Sequence, residues 1–106
     1  MSQVVKKNAD FLRLLLSTPS RVQRTSLLKS ITQDQLSALG TVATNLLQGS
    51  IPFTSSYKKK LKRHRVAIRT IADKKVSVKK RKQVLQPKVV LLLLQAVAPV
   101  LHTVLK

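Results

Sequence analysis

The sequence predicts an all-α protein, a small bundle of four to five short helices that includes a basic helix and ends in an apolar C-terminal segment. Two observations predict this class. Apolar residues recur at spacings of three and four from Ala9 to Ala72, and residues of the types that cap helices stand where these runs begin. A strand competes only at VVLLLL, residues 89–94, where uniform apolarity fits a buried strand as well as a buried helix.

The first two helices are predicted on either side of a proline. The first runs from about Ala9 to Leu16. The second is expected to begin at Thr18-Pro19, because a hydroxyl can cap the free amides and proline fits the first helical position. It runs to about Ser30, and its candidates for burial are Val22, Leu27 and Leu28.

The third helix has the clearest start in the chain. Thr32 and Gln35 have the spacing of a capping box, in which each side chain accepts a hydrogen bond from the backbone of the other residue. The helix is predicted from Gln33 to about Gln48, and its apolar residues at helical spacing are expected to form a small core; they include Leu36, Leu39, Val42 and Leu46.

A basic helix is predicted from Tyr57 to Ala72. Its apolar face, which is expected to close the core, consists of Tyr57, Leu61, His64, Ile68 and Ile71. A short helix from Val78 to Leu85 follows, with Ser77 as its cap and Pro87 as its stop.

The length of 106 residues predicts one domain with three regions. We expect a helical N-terminal core region at 1–56, the basic helices at 57–88 and the apolar C-terminal segment at 89–106.

Charge indicates the class of partner. The net charge is +18, and the acids are Asp10, Asp34 and Asp73 alone, so ion pairing within the chain cannot neutralise the positive field. Fourteen of the 21 Lys and Arg lie between Lys58 and Lys88. The sequence therefore predicts a polyanion as partner, with nucleic acid first and an anionic membrane surface second. The residues predicted to contact phosphates are Lys58, Lys59, Lys60, Lys62, Arg63, Arg65, Arg69, Lys74, Lys75, Lys79, Lys80, Arg81 and Lys82.

Binding is expected to be nonspecific, because the basic stretch is rich in Lys and offers point charges in place of the planar groups that read base edges. A sequence-specific alternative is a helix–turn–helix over Thr18 to Leu47, with the helix that begins at Thr32 as the reader. Its exposed residues are Ser, Thr, Gln and Asn with few positive charges, which argues against that role.

Several functions find no support in the residue types. The isolated carboxylates and two histidines, His64 and His102, form no acid–base pair or metal-ligand pattern, so neither an enzyme nor a cofactor is predicted. The absence of cysteine excludes a disulfide framework. The first ten residues lack the apolar core of a secretory signal.

The segment from Val89 to Leu105 has no formal charge and admits three interpretations. It is a helix packed on the domain, a segment for homo-oligomerisation or docking to a capsid protein, or a membrane-inserting segment. The last two support an alternative function, a membrane-active or capsid-docking accessory protein.

The order of segments resembles a known group of viral proteins. The chain begins with a leucine-rich helix, continues with QRTSLLKSITQDQLSALGTVATNLLQGSIPF and then YKKKLKRHRVAIRTIADKKVSVKKRKQVL, and closes with an apolar segment. Over residues 9–105 this order resembles that of small proteins of adenovirus-like DNA viruses and of Maverick/Polinton (adintovirus-like) elements. The layout is similar to that of the adenovirus core precursor of the DNA-condensing peptide mu, although Gln86-Pro87-Lys88 replaces its paired glycines. The resemblance implies a viral core protein that condenses double-stranded DNA in the host nucleus and the virion. Two runs that fit nuclear import patterns, 59–62 and 79–82, agree with the nucleus.

Overall fold

A computed structural model describes residues 3–48 and 55–104, with side chains as far as Gln95 and at Ala98. These residues form eight α-helices and no strand, which confirms the all-α class with more helices than the four to five predicted. The helices are α1 Gln3–Lys7, α2 Ala9–Ser17, α3 Arg21–Lys29, α4 Gln33–Leu47, α5 Ser55–Arg63, α6 Arg65–Ala72, α7 Val78–Gln83 and α8 Pro87–Val104.

The predicted capping box starts α4. The hydroxyl of Thr32 accepts the N–H of Gln35 at 3.1 Å, and Oε1 of Gln35 accepts the N–H of Thr32 at 2.9 Å. The helix that begins there packs against α1, α6, α7 and α8. It is therefore the centre of the fold, and its buried residues are Leu36, Ala38, Leu39, Gly40, Val42, Ala43 and Leu46.

The predicted start of α3 at Thr18 is wrong. Ser20 is the cap, and its hydroxyl accepts the N–H of Gln23 at 3.3 Å. The Thr18 hydroxyl instead donates to the carbonyl oxygen of Leu14 at 2.6 Å, so it closes the end of α2. Of the three burial candidates in this helix, Val22 is 76% exposed, whereas Leu28 is buried and Leu27 is half-buried.

The predicted basic helix is divided in two at His64. The N–H of His64 donates to the carbonyl of Leu61 three residues back, and the α-helical bonding resumes when Ile68 donates to His64. Neither proline nor glycine marks this break in the sequence. Ile68 and Ile71 are buried as predicted, and they anchor α6 against α4.

Ser77 caps α7 as predicted, and its hydroxyl accepts the N–H of Lys80 at 3.2 Å. Pro87 does not stop this helix, which ends at Gln83; it is the first residue of α8, a position where proline costs no hydrogen bond. The strand alternative for 89–94 is thus wrong.

The start of α8 is part of the core. The helix packs against α2, α3 and α4 and buries five side chains in its first two turns, namely Val89, Val90, Leu92, Leu93 and Leu94. Within the described residues, no helix combines the length and the apolarity needed to cross a bilayer. Leu105, the last residue of the predicted apolar segment, lies outside the described part of the chain.

One hydrophobic cluster draws on all three predicted regions. It extends from Val5 in α1 through α4 and α6 to Leu94 in α8. The basic helices are therefore attached to the same core as the N-terminal helices and the apolar segment.

Candidate nucleic-acid interface

The structure places twelve of the thirteen predicted phosphate-contacting residues on the surface. They are exposed on α5, α6, α7 and the turn between α6 and α7: Lys58, Lys59, Lys60, Lys62, Arg63, Arg65, Arg69, Lys74, Lys75, Lys79, Lys80 and Lys82. The thirteenth, Arg81, is buried.

Packing explains why the charges of α5 and α6 point outward. Ile68 and Ile71 hold α6 on the core, and Arg65 and Arg69 lie outside this buried face and are exposed. In α5 no residue is fully buried, and Leu61 is among the partly buried residues packed on the core cluster. The helices thus present their cations from a fixed scaffold.

The carboxylates do not neutralise this surface. Asp34 lies 3.3 Å from Nζ of Lys7, and Asp10 lies 3.7 Å from Nη1 of Arg13. Asp73, the one acid between the basic helices, accepts the backbone N–H of Lys75 at 2.9 Å. In the part of the chain with described side chains, neither ion pair involves the basic stretch.

Arg81 corrects the predicted site. Only 6% of it is exposed, and its Nε and Nη2 donate to the carbonyl oxygen of Ile71 at 3.1 and 2.9 Å. That carbonyl belongs to the last turn of α6, where no further helical N–H is present to bond it. The guanidinium is therefore a capping group of α6 and not part of the exposed cationic surface.

The sequence does carry a signal for this exception. Val78, Arg81 and Leu85 are three and four residues apart, so the helical period places Arg81 on the apolar face of the segment. The other basic residues of α7 are outside that face, and they are exposed.

Two depressions lie among the cations. One, of about 220 Å³, is lined by Lys60, Arg63, His64, Lys88 and Leu92. The other, of about 420 Å³, has an apolar lining with three cations at its margin; it is formed by Leu46, Leu47, Lys58, Leu61, Lys62, Arg65 and Ile68. The prediction did not include Lys88, because proximity between α5 and α8 has no local signature in the sequence.

The helix that a helix–turn–helix protein would place against bases is α4. It is the central helix of the core, surrounded by α1, α6, α7 and α8. The stripe of α4 that these helices leave open is half-buried at Ser37, Thr41 and Thr44 and carries no Lys or Arg, which argues against α4 as a reader of bases.

The described side chains contain no group of three or more His, Asp or Glu that could hold a metal ion. No protein-family model, curated protein or solved structure matches the chain. The likeness to adenovirus-type core proteins stays a prediction from the order of segments.

Proposed function

We propose that the chain is a structural protein that binds double-stranded DNA without sequence preference and condenses it, in a virion or virus-like element. One observation carries the proposal: twelve exposed Lys and Arg side chains occupy α5, α6, α7 and the intervening turn, and no described carboxylate forms an ion pair with them. The placement in a virion rests on the resemblance in segment order.

The physical basis of binding is neutralisation of phosphates. Duplex DNA holds a condensed layer of counterions. Protein cations that replace this layer release the counterions, and the release makes the free energy of binding more favourable. The net charge of +18 leaves a large excess after local contacts form, so one molecule reduces the repulsion between neighbouring duplex segments. That reduction is what compaction of DNA requires.

The composition of the surface accounts for the lack of sequence preference. Nine of the twelve exposed cations are lysines, whose ammonium groups act as point charges toward phosphate oxygens. Base reading relies instead on groups that form paired hydrogen bonds in the major groove.

The alternative of a membrane-active protein requires the apolar segment to leave the domain. The first two turns of α8 contribute five buried side chains, and their transfer into a bilayer would expose to water the core surface that they cover. This cost supports DNA binding over membrane insertion as the first hypothesis.

The test is a salt titration of binding to two short duplexes of unrelated sequence, measured by fluorescence anisotropy. If six to ten phosphates are neutralised, affinity falls by about 10³ to 10⁵ between roughly 50 and 200 mM salt. We expect the two duplexes to bind equally. A salt-insensitive affinity would contradict phosphate binding, and strong preference for one duplex would point to a regulator.

A leakage assay on anionic liposomes is the matched test of the alternative. We expect no leakage at concentrations that saturate the duplex. Leakage without duplex binding would replace the proposal with the membrane-active one.

A further inference from the structure

We propose that the depression lined by Lys60, Arg63, His64, Lys88 and Leu92 is a binding pocket for a single phosphate group, called the phosphate pocket below. The inference rests on the proposed function, because it assigns to one place on the basic surface a defined contact with the polyanion.

Helix geometry places three of the lining residues together. Arg63 and His64 follow Lys60 by three and four positions, so each lies beside Lys60 on one side of the chain at the end of α5. The change of helix at His64 occurs at the same point. The pocket therefore lies at the junction between α5 and α6.

The opposite wall comes from a distant part of the sequence. Lys88 lies in the first turn of α8, and Leu92 follows one turn later on the same side of that helix. Leu92 is 7% exposed and forms an apolar part of the lining, whereas Lys88 is exposed and carries the charge. A bound group would thus be held between two separate helical segments.

The chemistry of the lining fits an anion with several oxygens. Arg63 offers a planar set of N–H donors, and the two lysines offer ammonium donors from different directions. None of the five lining residues is acidic, so no carboxylate in the lining competes for these donors. Cations that line one depression repel each other, and the attraction of a bound phosphate group to each of them offsets this repulsion.

A phosphate group reaches such a pocket from one of two sources: a backbone phosphodiester, or a phosphomonoester at a strand end or free in solution. Duplexes with and without a 5′ phosphate separate them. Equal affinity identifies the backbone as the source, whereas preference for the phosphorylated duplex identifies the monoester. Both duplexes are compared in the wild-type chain and in the variants below.

The decisive experiment compares two variants that each remove two exposed positive charges. Arg63→Gln with Lys88→Gln alters the phosphate pocket, and Lys74→Gln with Lys75→Gln alters the turn between α6 and α7. Inorganic phosphate is titrated against sodium chloride of equal ionic strength, and backbone amide shifts of the full chain are followed by NMR.

We expect phosphate to shift the amides around residues 60–64 and 88–92 in the wild-type chain. The pocket variant should bind phosphate about tenfold more weakly, the equivalent of one charge-assisted hydrogen bond. The turn variant should retain the wild-type phosphate affinity, although both variants lose affinity for duplex DNA.

Absence of these phosphate shifts from the wild-type chain, or equal phosphate affinity in the two variants, would overturn the pocket. Duplex binding of the wild-type chain remains measurable in either case, so failure of the pocket is distinguishable from failure of the proposed function. Far-UV circular dichroism of both variants checks that each is folded.

Discussion

Arg81 donates two hydrogen bonds to the carbonyl oxygen of Ile71, from Nε at 3.1 Å and from Nη2 at 2.9 Å. The contact joins α7 to the end of α6, and Gly40 of α4 lies directly beside it. Three helices therefore meet at one guanidinium. The other basic residues of α7, Lys79, Lys80 and Lys82, are exposed, so this buried arginine attaches a strongly charged helix to the core.

We predict that Arg81→Met destabilises the fold by about 2 kcal/mol, because the hydrogen bonds come from a charged donor and their loss leaves a buried carbonyl unsatisfied. Urea unfolding measures the change. Lys82→Met is the matched control, since it removes one positive charge from an exposed neighbour and should change stability by less than about 0.5 kcal/mol. Equal stability of the two variants would show that the guanidinium contact contributes nothing.

Gly40→Ala tests the close approach of α4 to this contact. A Cβ at Gly40 would lie 2.7 Å from Nη2 of Arg81 and 3.0 Å from the carbonyl oxygen of Ile71, so the guanidinium must move. We expect a net loss of about 1 kcal/mol, because disrupting the charged hydrogen bonds outweighs the gain in helix propensity from Gly to Ala.

A double-mutant cycle isolates the cause. In the Arg81→Met background the displaced hydrogen bonds are already absent, so Gly40→Ala should cost less there or become stabilising. Additive effects in urea unfolding would contradict the coupling between Gly40 and Arg81.

The features predicted from sequence are those that depend on neighbours a few residues away. Thr32 with Gln35, and Ser77 with Lys80, are caps within one helical turn, and the structure contains both. The start of α3 was not predictable in this way. Thr18 and Ser20 both flank a proline, and the choice between them depends on the Leu14 carbonyl at the end of the preceding helix.

Other differences arise from short segments and distant contacts. The sequence gives little sign of α1, because five residues are too few to show a helical period, yet Val5 is fully buried. The exposure of the basic residues on α5, α6 and α7 other than Arg81 is predictable from their charge alone. The helical period places Arg81 on the apolar face of its segment, but its hydrogen bonds to Ile71 depend on how α6 and α7 pack. The approach of Lys88 to Arg63 depends on how α5 and α8 pack, and no local pattern specifies either contact.

Leu93→Ala tests whether α8 belongs to the domain. Leu93 is fully buried in the core cluster, and truncation of such a residue typically costs about 2 to 5 kcal/mol. Leu91→Ala is the matched control, because Leu91 is half-buried in the same helix and should lose less. Equal free energies of unfolding for the two variants in urea would indicate that this segment binds a partner or a membrane and does not pack in the core.

The final prediction separates a localised DNA-binding surface from a general effect of net charge. One variant carries Lys58→Gln, Lys59→Gln and Lys62→Gln in α5, and its control carries Lys6→Gln, Arg21→Gln and Lys29→Gln. All six residues are exposed, and each variant loses three positive charges, so the net charge becomes +15 from +18 in both.

If α5 contacts the duplex, its variant loses up to three phosphate contacts, and the magnitude of the salt slope of log affinity falls by about 0.9 for each. The control leaves that surface intact and should retain most of the wild-type slope, because its three substitutions lie on α1 and α3 and remove none of the cations of α5. Anisotropy titrations at several salt concentrations measure both slopes. Equal losses in the two variants would mean that the duplex responds to total charge, and that the cations of α5 form no localised interface.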